Sequence, residues 1–327
     1  MIREITAFCD GRKTMGSEFC RALAENDTAA LLAAPKSDLH NHSTKGCRPK
    51  WLAKRLNREI PRLHGVLDGL DGMQQWFRSS VKPFCDGYEC MLIRWEGAFA
   101  EARRNNIQRL VLNFGVNEVD QVGGIVAFRE IIEGLHQSCC PDTVFEPELT
   151  YPSSCNVADE TAKLGQYACL NYFKAIDICA GENVQPLEAF VPLYRKAEEF
   201  GLVRKMHVGE TGSAGDVRKA VEILGLSEVH HGINAASSGE VMRFLADNHI
   251  QLNVCPSSNV KLGFVRDYRT HPIRILVENG VPVTINTDDL LIFDSTVENE
   301  YLLLYQAGTL TAEQLDDIRL RGLSGIS

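Results

Sequence analysis

The chain predicts an α/β fold, a closed (β/α)8 TIM barrel. Short runs rich in aliphatic and β-branched residues alternate with longer helix-patterned segments along most of the 327 residues. That order is expected of parallel strands joined by helical crossovers. Metal-binding side chains recur where those runs end, and such barrels carry their chemistry at the carboxyl ends of the strands. With 44% hydrophobic content the chain can bury one large core. Two units follow: residues 1–34 as a helical N-terminal extension, and residues 35–327 as the barrel domain with a helical lid inserted after its first strand.

Taken in order, Phe19, Leu23, Ala24, Leu31 and Leu32 recur at helical spacing, and Asp27-Thr28 can start a last turn before Pro35. Residues 37–42 form the first strand. Pro49 stands near the first position of the next helix. Residues 67–106 read as helical, with a break at Asp68 to Gly72 and a solvent-facing end from Glu96 to Asn105. The remaining strands are expected at 107–114, 144–149, 173–178, 203–207, 228–231, 250–255 and 281–286. Helices at 126–135, 158–170, 187–199, 216–224, 239–248 and 272–279 separate most of them, and a last helical segment covers 311–321.

A formal charge of −9 argues against a nucleic-acid partner, which requires a basic face. No apolar run approaches the roughly 18 residues of a membrane span, and the N-terminus lacks a signal-peptide core. Eleven cysteines form an odd set without any Cys-x-x-Cys. They are expected as reduced, mostly buried thiols of a cytoplasmic protein.

The chemistry concentrates at four strand ends. In a strand, residues two apart share a face, so His40 and His42 present two imidazoles together. Later strands end in His207-Val208-Gly209-Glu210, in His230-His231-Gly232 and in Asn286-Thr287-Asp288-Asp289. Any one of these endings reads equally well as a satisfied polar cap. Four on one rim point to a metal. Three imidazoles and a carboxylate, with one position open to water, make a catalytic zinc site, and zinc lowers the pKa of its water to about 7. Glu210 could exchange a proton there if burial keeps it protonated. Its plainer role is to cap a helix start.

Together these stretches resemble the adenosine deaminase family. Leu39-His40-Asn41-His42, His207 to Glu210, His231-Gly232 and Asn286 to Asp289 stand in the family's order. Ile176 to Glu182 and Cys255 to Asn259 add support, and the whole spans roughly residues 35–300. The resemblance implies one Zn2+ per chain on His40, His42, His207 and Asp288. It implies that His231 takes the proton of the water attacking C6 of a purine, while Glu210 protonates N1. Asp289 would hydrogen-bond near N7 and the Gly181 N–H would meet N3, with His42 also lining the substrate site. Adenosine or 2′-deoxyadenosine would lose ammonia to give inosine or 2′-deoxyinosine. The histidine before glycine is the functional one, so His230 is read as structural.

One stretch departs from the family pattern. Thr44 stands where the family places a ribose-binding carboxylate, and the glycine arrives one residue late, at Gly46. Thr44 is therefore the candidate sugar contact. Lys45, Arg48 and Lys50 either attract an anionic substituent or form a solvated loop. Met73 to Phe84 occupies the place of the family's lid, with Trp76, Phe77 and Phe84 as apolar cover. Adenine, a 5′-modified adenosine and an AMP-type substrate remain alternatives. So do a non-catalytic purine-binding relative and a two-metal amidohydrolase, although strand four carries Asp177 where many of the latter carry a bridging lysine.

Overall fold

The computed structural model describes residues 18–182 and 184–324. Its strand segments are β1 (Lys36–Asp38), β2 (Ile107–Gly115), β3 (Val144–Pro152), β4 (Ala175–Cys179), β5 (Val203–Arg204), β6 (His207–Val208), β7 (Glu228–His231), β8 (Gln251–Val254) and β9 (Val283–Ile285). All pair in parallel, in two sheets of order β1-β2-β3-β4-β5 and β6-β7-β8-β9. The α/β alternation is the one the sequence predicts.

Strand 203–207 is corrected in one respect, since it is shared between the sheets. Lys205 N still donates to Ile176 O at 2.9 Å, while His230 N donates to Met206 O at 2.9 Å. The other seam joins the last strand to the first, where Asp288 N donates to His40 O at 2.9 Å and His42 N to Asp288 O at 3.3 Å. Backbone hydrogen bonds thus link the two sheets at both seams.

The first strand is shorter than the expected 37–42, because after Asp38 side chains replace the backbone ladder. Leu39 N donates to the Asn286 side chain at 2.7 Å instead of to a neighbouring strand. Beyond it only isolated backbone contacts remain, with Asn113 N donating to Asn41 O at 2.9 Å and Asp288 N to His40 O, and these keep residues 40–42 against both neighbouring strand ends.

Helices cover residues 18–25 and Thr28–Ala33 before the barrel. Asp27 caps the second by accepting from Ala29 N and Ala30 N, a contact worth about 1 kcal/mol. At its other end the buried Lys36 donates to Leu31 O at 2.8 Å and Leu32 O at 3.0 Å, occupying carbonyls that the helix leaves open. Phe19, Leu23 and Leu31 are buried in the main core, and Phe19 meets Tyr301 edge-on at 5.4 Å. The expected extension before Phe19 lies largely outside the described residues.

After β1 the chain forms a turn at Ser43–Lys45 and helices Pro49–Leu56, Gly69–Ser80 and Gly87–Arg104. The anticipated break from Asp68 to Gly72 is absent, since the helix already starts at Gly69. Nor is the 96–105 end a solvent face: Ala98, Phe99 and Ala102 are buried, and buried Glu101 accepts from Arg48 Nε at 2.9 Å. A second apolar cluster, including Leu52, Met73, Phe77, Val81, Leu291 and Phe293, supports this insertion. Among the described residues the cysteines are free, but only Cys47, Cys85, Cys140 and Cys255 are fully buried, fewer than expected. No helix of the described residues is long and apolar enough to cross a membrane.

Candidate active site

The strand ends converge on a cavity of about 610 Å³ whose wall includes His42, His207, Glu210, His231, Asp288 and Asp289. His40 lies under its floor. The His40 ring stands 5.2 Å from His42, 4.7 Å from His207 and 5.0 Å from His231, centroid to centroid. His42 Nε2 lies 3.3 Å from Asp288 Oδ1, and His40 Nε2 lies 3.6 Å from the same oxygen. Ligand atoms of His40, His207 and His231 fall within 4.8 Å of one another, as do those of His42, Asp288 and Asp289.

This donor set fits a dication. His40 is fully buried, yet neither of its ring nitrogens has a protein partner. A buried polar group without a partner is costly, and a metal ion resolves that cost. Burial pushes the His40 pKa down to about 4, which keeps the ring neutral and able to ligate. Burial also opposes charge on His207, but Asp177 outweighs it and lifts the pKa to about 9. His207 Nδ1 lies 2.9 Å from Asp177 Oδ2, a contact that leaves Nε2 free and makes the ring a better donor. Asp288 and His231 both hold left-handed backbone, with φ of 59° and 62°, as residues at functional sites often do.

The neighbouring groups that hold this geometry carried no local sequence signal. Asp38 accepts from Thr287 Oγ1 at 2.6 Å and Asn41 Nδ2 at 3.0 Å, tying strand one to strand eight. Asn113 Nδ2 donates to Asp177 at 3.1 Å and to Glu148 at 3.0 Å. Glu182 accepts the backbone N–H groups of Gly209, Glu210, Thr211 and Gly212 at 3.0, 2.9, 2.8 and 3.1 Å. It thus shapes the whole turn that carries Glu210. Asn41, Thr287, Asp177 and Glu182 stand within stretches that the family resemblance marked, whereas Asp38, Asn113 and Glu148 do not.

Glu210 is buried, and its carboxyl lies 3.3 Å from His231 Nδ1. Asn259 Nδ2 donates to it at 3.2 Å. Burial, reinforced by the charges of Asp288 and Glu182, raises its pKa to about 8. A carboxyl with that value is protonated at neutral pH and can act as an acid. The helix-cap alternative does not describe it, because Ser213 caps the following helix. His230 faces away from the cavity, with Nε2 at 2.8 Å from Glu148, as the structural reading expects.

The turn after His42 rearranges the expected substrate contacts. Ser43 Oγ donates to Glu118 at 2.8 Å, and Gly46 packs so closely that an added Cβ would sit 2.5 Å from Asn41 Oδ1. So pinned, the turn sends Lys45 to the cavity wall, and Thr44 does not line it. Arg48 turns to Glu101, and Lys50 is exposed away from the mouth. Gly181 lines the cavity with φ of 115°, a conformation few other residues adopt. From the lid helix, Leu70, Met73 and Gln74 face the cavity, a stripe at helical spacing. The expected cover lies elsewhere: Phe77 packs in the second cluster, and neither Trp76 nor Phe84 lines the wall. Phe264 and Leu262 supply apolar wall from the opposite side.

Comparison with known proteins bears on the family and the fold. The adenosine deaminase family profile matches residues 153–326. A Treponema pallidum protein named for adenosine/adenine deamination is 30% identical over 288 residues, covering 85% of this chain and 93% of its own. An adenine deaminase of Crocosphaera subtropica is 26% identical over 304 residues, covering 85% and 89%. Among solved structures, the adenine deaminase of Arthrobacter aurescens shares the fold with a TM-score of 0.74 at 19% identity, covering 90% of this chain and 94% of its own. A zinc-bound amidohydrolase of Burkholderia ambifaria has a TM-score of 0.72 at 19% identity, covering 90% and 86%.

Proposed function

The chain belongs to the adenosine deaminase family, and from that premise we propose that it hydrolytically deaminates a neutral 6-aminopurine, with adenosine or 2′-deoxyadenosine first. The observation that carries this reading is the placing of Glu210, a buried carboxyl 3.3 Å from His231 Nδ1, on the wall of a cavity whose strand ends also bring together His40, His207 and His231. In this reading His40, His42, His207 and Asp288 hold one Zn2+. A dication there supplies Lewis acidity, which brings the ionisation of water down to about pH 7.

The chain's own residues account for the remaining work. Glu210, protonated, donates to ring N1 and makes C6 electrophilic. His231 is neutral because burial holds its pKa far below the ordinary value, so its ring accepts the proton of the attacking water. Gly181 offers its backbone N–H to N3, and Asp289 meets the opposite edge of the ring. Leu70, Met73 and Phe264 cover the base and exclude bulk water. His231 passes the proton it took to the amine, and collapse of the tetrahedral carbon expels ammonia while the hydroxyl proton returns to Glu210, leaving the 6-oxopurine.

Charge argues for a substrate without phosphate. Asp68, Asp71, Glu182, Asp288 and Asp289 line the cavity as carboxylates, against the single ammonium of Lys45 among the described residues, which is engaged by Asp289 at 2.8 Å. Like-charge juxtaposition of this kind disfavours an anionic 5′ group. Adenine is the second reading, favoured by Thr44 lying off the wall, which leaves Asp68 and Asp71 of the lid to meet any sugar.

The test is direct. Zinc-loaded protein is offered adenosine, 2′-deoxyadenosine, adenine and AMP while ammonia and the ultraviolet spectrum are followed. Turnover of a neutral 6-aminopurine with poor turnover of AMP is expected. Tight binding without any product would move the chain to the non-catalytic relatives.

A further inference from the structure

Resting on the deaminase reading, we infer that Lys45 is a specificity-determining residue, donating a hydrogen bond to N7 of the purine while Asp289 anchors its ammonium. The argument starts from the ring. With N1 turned towards Glu210, the atom on the other side of C6 is C5, which carries N7. N7 must then face the rim opposite Glu210. Glu210 follows the fifth barrel strand, and in an eight-stranded barrel the first strand stands across from the fifth. The turn after the first strand carries Lys45, and Asp289 follows the eighth strand beside it.

The chemistry of that edge asks for such a pair. An adenine ring presents an acceptor at N7 next to a donor at its amine. Lys45 Nζ carries three N–H bonds, and one goes to Asp289 Oδ2 at 2.8 Å. Asp289 itself is 2% exposed, and its other oxygen, Oδ1, is buried without a partner. The ammonium offers a donor for N7, and the Asp289 carboxylate holds that ammonium in place.

Lys45 is also held rather than solvated. Its side chain is 18% exposed, and the ammonium sits 5.9 Å above the Phe77 ring as well as against Asp289. The turn that presents it is fixed by Ser43 on Glu118 and by the close packing of Gly46. A solvated basic loop has neither feature. No second ammonium lines the cavity among the described residues.

The test compares the preferred substrate, adenosine or adenine, with its 7-deaza counterpart, in which a C–H replaces N7. Wild type should prefer the N7-bearing substrate by about 10- to 100-fold in kcat/KM, the range for a hydrogen bond to a charged group. In Lys45→Met that ratio should collapse to within about threefold, because any general damage falls on both substrates alike. Lys45→Arg, which keeps a cationic donor, should retain more of the ratio than Lys45→Met. Zinc content should match wild type in both variants. An unchanged ratio in an active Lys45→Met would overturn the inference and leave the deaminase reading standing. Failure of zinc-loaded wild type to turn over either substrate would overturn both.

Discussion

The two sides of the barrel mouth are held in different ways. On the side of strands four and five, carboxylates satisfy their neighbours almost completely: Glu182 takes four backbone N–H groups, and Asp177 fixes the His207 ring. On the side of strands one and eight, the Asp38, Asn41 and Thr287 network lies behind the surface, while His40 and Asp289 Oδ1 face inward without partners. The satisfied side positions a proton donor. The other side carries the remaining proposed metal ligands, His40, His42 and Asp288, so that His207 is the one proposed ligand beside the proton donor.

Substitutions should keep the two sides distinct. Glu210→Gln should lower turnover by about 10²- to 10⁴-fold while zinc content stays near wild type, since only proton donation is removed; metal analysis beside steady-state kinetics checks both. Glu182→Ala strips the turn of its common acceptor and should lower kcat by about 10²-fold through misplacement of Glu210, again with metal retained. Loss of metal in that variant would erase the distinction.

Asp38→Ala acts from the other side. It should weaken metal binding by about 10- to 100-fold, as measured by chelator competition.

The smallest effect is in pH. Glu210 is the acid only while protonated, so activity falls as pH rises through its pKa of about 8. A bound dication draws that value downwards, placing the alkaline limb of kcat/KM at or below about pH 8. Glu182→Ala removes a charge that raises the pKa and should move the limb lower still.

Much of this arrangement was legible in the sequence because strand ends are contiguous. His40 and His42, His207 and Glu210, His231, and Asp288 each sit in a short run whose period and position advertise a rim residue. Their supports were not legible. Asp38 acts on Thr287, 249 positions away, and Glu182 on amides about 30 residues ahead, so neither has a local pattern to find. The lid differs for another reason: helix Gly69–Ser80 starts earlier than its glycines suggested, so Leu70 joins Met73 and Gln74 on the cavity side while Phe77 packs in the second cluster. Lys45 and Thr44 exchange roles for a similar reason, since a tight turn held by Ser43 and Gly46 decides which of two adjacent residues meets the cavity.

The central claim, that metal binding and proton donation belong to separable groups of one mouth, is tested most directly by measuring bound zinc and released ammonia on the same samples of wild type, His40→Ala and Glu210→Gln. Wild type should show both, His40→Ala should lose zinc and ammonia release together, and Glu210→Gln should keep zinc while losing ammonia release. A Glu210→Gln protein as active as wild type, or a fully zinc-loaded His40→Ala, would contradict the account.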